Sequence, residues 1–133
     1  MKYTIKEVAE KMNLSISTIR YYDKEGLLPF VERSEAGYRI FSDSDLVMLA
    51  SIEKFKQTGM PIKEIRTFCN LIKNGDGSLT EIYEMLLERK KAVEEEMVEL
   101  QKSLDLINAK CSYCKETIEA GNEDIHTGMY FNK

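Results

Sequence analysis

Two groups of residues in this 133-residue chain have types and spacings suited to chemistry. The first is Ser17-Thr18-Ile19-Arg20-Tyr21-Tyr22-Asp23-Lys24, which gathers two small hydroxyls, two phenols and two cations. Small hydroxyls allow close approach to a polyanion, and guanidinium and phenol groups donate to phosphate oxygens or base edges. The second is Cys111-Ser112-Tyr113-Cys114. Two thiols three apart on a helix face the same way and could clamp a soft metal, be oxidised or be alkylated. The plain alternative is that each is a small buried hydrophobe.

The first group needs elements to hold it, and the flanking sequence supplies them. Thr4-Ile5-Lys6-Glu7 reads as a capping box, and Ile5, Val8, Ala9 and Met12 repeat at i, i+3, i+4, i+7 as the apolar stripe of a short helix. Asn13-Leu14-Ser15 has room only for a tight turn, with Ser15 placed to N-cap a second helix from Ile16 to Glu25. At about 100° per residue, Ile16, Ile19 and Asp23 share one side of that helix. Ser17, Thr18, Tyr21, Tyr22 and Lys24 spread over the other, with Arg20 at the margin. For an isolated helix, packing of Tyr21 or Tyr22 into a core is the competing reading.

Gly26 is the predicted left-handed stop, Leu27 and Leu28 return to the core, and Pro29 prevents further helix. Phe30 to Arg33 and Tyr38 to Phe41 are strand candidates around a Ser34-Glu35-Ala36-Gly37 turn, which brings Arg33 and Arg39 near a hairpin tip. A polar-faced helix delivered after a turn, then a hairpin with arginines, is the sequence form of a winged helix-turn-helix.

Ser42-Asp43-Ser44-Asp45 opens a further helix predicted to run to about Thr58, with Leu46/Leu49/Ala50 and Met48/Ile52/Phe55 on opposed sides. Gly59 ends it, and Pro61 begins a helix striped by Ile62, Ile65, Phe68, Cys69 and Ile72 as far as Asn74-Gly75. From Ser78 the pattern becomes heptads. With d at Leu79, Leu86, Val93, Leu100, Ile107 and Cys114, and a at Tyr83, Lys90, Met97, Leu104, Cys111 and Ile118, eleven of twelve seam positions are apolar or cysteine. Such a helix would span about 60 Å, too long to pack only on its own small domain, so a homodimer through residues 79–118 is expected. The organisation expected is a mainly α chain. A winged head with accessory helices occupies residues 1–75, a coiled-coil helix 76–120, and a tail 121–133 containing Met129-Tyr130-Phe131.

Net charge is −4, but it divides into +2 over residues 1–74 and −6 over residues 75–133, which directs a polyanion to the N-terminal half. No apolar run reaches the roughly 18 residues of a membrane span, and Met1-Lys2-Tyr3-Thr4 has no signal-like apolar stretch. Three cysteines, an odd number, favour reduced thiols. The expectation is a cytoplasmic protein with no membrane partner and no required cofactor.

Ile5-Lys6-Glu7-Val8-Ala9, Thr18 through Leu27, Gly37-Tyr38-Arg39 and Thr58-Gly59-Met60-Pro61-Ile62-Lys63-Glu64-Ile65 together resemble the MerR family of bacterial transcription regulators, in family order over roughly residues 1–120. The resemblance implies a dimer joined by an antiparallel coiled coil and heads that read a pseudo-palindromic promoter in double-stranded DNA. It also implies activation by bending and untwisting an over-long spacer so that RNA polymerase engages both promoter elements. Carried over by position, DNA contacts fall on Thr4, Ser17, Thr18, Arg20, Tyr21 and Tyr22 and on Arg33, Tyr38 and Arg39, with Lys24 beside them.

The effector is less defined. Cys111 and Cys114 supply two ligands, enough for linear coordination of a soft metal but short of tetrahedral zinc unless His126 or a second subunit contributes. The copper and mercury members set their thiols across a longer loop. The chain looks more like the short subgroup that responds to thiol-reactive species, yet that subgroup's cysteine would fall near Lys54, where there is none. A small apolar ligand in a tyrosine-walled cavity is the third option. Three rival functions compete. One is a redox enzyme on Cys111-x-x-Cys114, disfavoured because the pair lies deep in a helix pattern without parallel strands. The others are an architectural or excisionase-like DNA-bending protein with no inducer, and a coiled-coil module with a degenerate head.

Overall fold

The computed structural model describes residues 1–75 and 77–121; Met129-Tyr130-Phe131 and His126 lie outside the described residues. Elements follow in the order β1 (Lys2–Tyr3), α1 (Ile5–Met12), α2 (Ile16–Lys24), β2 (Glu32–Arg33), β3 (Arg39–Ser42), α3 (Asp43–Gln57), α4 (Ile62–Asn74) and α5 (Leu79–Glu119). Two compact units divide the chain, one from Met1 to Arg89 and a second beginning at Lys90.

Capping chemistry sets the starts of the first helices. The Thr4 hydroxyl accepts from the Glu7 amide at 3.2 Å while Glu7 Oε1 accepts from the Thr4 amide at 2.9 Å, the expected reciprocal box. Asn13 takes the left-handed conformation (φ 54°) that ends α1, and its short polar side chain lowers the cost of that geometry. Ser15 then caps α2 by accepting from the Thr18 amide at 3.1 Å. At α3, the Ser42 amide donates to Asp45 Oδ2 at 2.8 Å.

One core serves the head. Val8 of α1, Ile19 and Tyr22 of α2, Leu27, Phe41 of β3, Leu49 and Ile52 of α3 and Ile65 and Cys69 of α4 are buried together. On α3 the two expected faces are covered at Met48, Leu49 and Ile52, whereas Ala50 is exposed, as is Val47.

The three strands form an antiparallel sheet in the order β1-β3-β2, with Tyr3 opposite Phe41 and Arg33 opposite Arg39. The hairpin arms are shorter than the sequence suggests, because Phe30 and Val31 turn out of the ladder before Glu32. β1 has no sequence signal of its own. Two residues cannot show a period, and it pairs only because β3 offers an open edge.

Candidate nucleic-acid interface

The polar face of α2 is built from its own cap outward. Ser15 Oγ lies 2.7 Å from Thr18 Oγ1 and 3.1 Å from Ser17 Oγ, so three hydroxyls cluster at the helix start, where unpaired amides and the helix dipole already favour an anion. Ser17, Arg20 and Lys24 are exposed, and Tyr21 is 49% exposed. Thr4, Arg20, Arg33, Tyr38 and Arg39 line one cleft of about 280 Å³. Ser17, Thr18 and Tyr21 border a second of about 460 Å³.

The wing is locked at its tip. Ser34 donates its amide to the Tyr38 carbonyl at 2.7 Å and accepts from the Tyr38 amide through Oγ at 3.1 Å, while Arg33 donates to the Gly37 carbonyl at 2.8 Å. Gly37 sits at φ +89°, a conformation a side chain would strain. The result is a short stiff loop that holds the Tyr38 ring out at 75% exposure.

Two residues of the expected contact set have other work. Tyr22 is buried rather than on the solvent side of α2, although it borders the second cleft. Its side chain is 1% exposed beside Ile19, its hydroxyl donates to Glu53 Oε2, and the hydroxyl oxygen accepts from Lys56 Nζ at 2.7 Å. The physical reason is spacing: three residues from Ile19, Tyr22 shares the core-facing stripe rather than the solvent side. Burial pushes its phenol above the ordinary value, and the neighbouring Glu53 carboxylate adds to the rise. Arg39 is half-buried, and its Nε is committed to Asp23 Oδ2 at 2.7 Å.

The structure brings Lys56, which sequence reasoning missed, to the same surface. It comes from the end of α3 to the cleft bordered by Ser17, Thr18 and Tyr21, and no periodicity could have announced a contact made across two elements. Hydroxyls at a helix start, an exposed phenol, an exposed guanidinium and a protruding wing phenol suit a duplex: groove edges for α2 and backbone phosphates for the wing.

Comparison with known proteins bears on the same surface. Residues 3–72 match the model described as MerR HTH family regulatory protein, and residues 46–109 match that described as MerR, DNA binding. The chain belongs to the MerR family. A relative from Haemophilus influenzae, an uncharacterized HTH-type transcriptional regulator, is 38% identical over 92% of this chain and 90% of its own length. HiNmlR, a MerR family regulator lacking the sensor domain and solved bound to promoter DNA, superposes with a TM-score of 0.81 at 37% identity, covering 92% of this chain and 98% of that one. A MerR family regulator from Listeria monocytogenes gives 0.84 at 29% identity, covering 90% and 91%. The chain is therefore a DNA-binding transcriptional regulator of a family of regulators rather than of enzymes.

The cysteines fall outside this surface. Cys69 is fully buried in the MerR head, where its thiol reaches Met48 Sδ at 3.8 Å and burial pushes its pKa up to about 11. Cys111 is exposed and Cys114 half-buried on α5, bordering an open trough with Ile107 and Ile118 between Lys110 and Lys115. No group of three or more His, Cys, Asp or Glu residues able to hold a metal occurs among the described residues. Nor is any described helix long and apolar enough to cross a membrane.

Proposed function

We propose that the protein acts as a homodimer zipped through residues 79–118, reads a pseudo-palindromic promoter with two heads, and activates transcription by distorting the duplex for RNA polymerase when an effector is present. The observation that carries the dimer is the seam itself. Met97, Leu100, Leu104 and Ile107 stand 66%, 72%, 48% and 55% exposed on one stripe of a 41-residue helix. A stripe of that length left in water is costly, and burying it against an identical helix removes the cost. Ser17, Thr18, Arg20, Tyr21, Lys24 and Lys56 then serve the groove and its phosphates, and Thr4, Arg33 and Tyr38 the flanking backbone. Arg39 supports the wing through Asp23. The promoter-bound relative supports the DNA half of this reading.

Cys111 and Cys114 are the proposed effector residues, open to a soft metal ion or a thiol-reactive species; a small apolar ligand is the alternative. Transcription from the protein's own upstream region, with candidate effectors and with the Cys111→Ser/Cys114→Ser variant, tests this. Activation that survives the double substitution removes both thiol chemistries. A second reading, an architectural DNA-bending protein with no inducer, is favoured by the fact that the promoter-bound relative lacks a sensor domain. It predicts a bent duplex and a transcript level indifferent to every effector.

A further inference from the structure

Arg89 is the last residue of the head unit, and its side chain is 18% exposed. Its guanidinium donates to Glu64 Oε2 on the first turn of α4 at 3.0 Å and reaches the Thr58 carbonyl, at the end of α3, at 3.4 Å. Its Nε is buried and has no hydrogen-bond partner among the described residues. A cation held out of water with a donor unsatisfied is a poor source of stability, because desolvation offsets the Coulombic gain and an apolar side chain would fill the space at less cost. What the guanidinium supplies is direction. Bonded to both the end of α3 and the first turn of α4, it ties the two ends of the intervening turn to one residue of α5.

That turn is two residues beyond Lys56, whose Nζ stands on the Tyr22 hydroxyl at the cleft bordered by Ser17, Thr18 and Tyr21. Lys56 is in the final turn of α3, two residues before the Thr58 carbonyl that Arg89 holds. Arg89 itself does not line the cleft.

We propose that Arg89 is a positioning residue for DNA binding: by holding Thr58 it sets the place from which Lys56 meets a backbone phosphate. The proposal rests on the reading of the α2 face as the DNA surface. Other contributions of Arg89 to the fold do not distinguish it; its dependence on Lys56 does.

The test measures the salt dependence of binding to a random-sequence B-form duplex, so no operator need be known. Each phosphate contact contributes about 0.9 to the slope of log K against log salt. Lys56→Met is expected to lower the slope by about that amount. Arg89→Met is expected to do the same, and Lys56→Met/Arg89→Met to lose no more than either alone. Glu64→Gln loosens the same grip from α4, should shift the slope in the same direction by less, and carries the test if Arg89→Met fails to fold. Additive slopes in the double variant mean that Arg89 acts through its own charge and overturn the proposal. So does a full wild-type slope in Lys56→Met, or in the folded members of the Arg89→Met and Glu64→Gln pair. A wild-type protein that binds no duplex overturns the DNA-surface reading, and this proposal with it.

Discussion

Arg39 Nε lies 2.7 Å from Asp23 Oδ2, with the two side chains 19% and 21% exposed, so an ion pair fastens the wing strand β3 to helix α2. Wing and helix are thereby presented as one surface. A second pair does the same from the other side: Arg66 donates to Glu25 Oε1 at 2.8 Å and to the Glu25 carbonyl at 2.7 Å, which holds the end of α2 to α4.

Asp23→Asn should therefore cost about 1–2 kcal/mol of stability, more than an exposed pair and less than a fully buried one. Urea denaturation measures it. Midpoints unchanged in both Asp23→Asn and Arg39→Met would show that the pair does not hold the wing.

Arg20→Ala and Tyr21→Ala should each weaken duplex binding by about 1–3 kcal/mol while leaving the thermal midpoint near wild type, since both side chains are exposed. Tyr22→Phe should differ by its cost in stability. It leaves Glu53 and Lys56 without the shared hydroxyl and lowers stability by about 1–2 kcal/mol. Equal losses of affinity in all three, with stability intact, would return Tyr22 to the contact surface.

That contrast marks where the sequence stopped being informative. Capping boxes, tight turns and glycine stops are local, and Thr4/Glu7, Ser15 and Gly26 stand where their types require. The apolar stripe at Ile19 is legible, and Tyr22, three residues on, belongs to it by spacing; what the sequence does not show is the partners its hydroxyl finds. Those partners, Glu53 and Lys56, come from α3, more than thirty positions away, and the grip of Arg89 on Thr58 is equally remote. Contacts of that kind leave no period in the sequence.

Thiol reactivity should be ordered by exposure. Cys69, buried in the head, should react with a soluble disulfide reagent only in denaturant, after Cys111 and Cys114. The raised Cys69 pKa has a defined consequence for stability. The folded protein keeps this proton up to about pH 11, while the unfolded chain releases it near the ordinary value of 9.0. The contribution is complete below pH 9 and lost as pH rises from there toward 11. Thermal midpoints across that interval should fall less steeply in Cys69→Ala than in wild type, and identical slopes would contradict the assignment.

A charge in the α5 seam should separate the subunits. Leu100→Glu or Leu104→Glu would set two carboxylates or a carboxylate and leucines at a dry contact, so the variants should sediment as monomers, retain the head, and bind duplex more weakly. Unchanged sedimentation in both would move the seam elsewhere.

The central claim, that two copies joined along α5 present paired heads to one duplex, is tested most directly by the stoichiometry of the complex. Sedimentation equilibrium of the protein with a labelled duplex from the region upstream of its own gene should give two chains per duplex. One chain per duplex, or a free monomer at micromolar concentration that ignores the DNA, would contradict it.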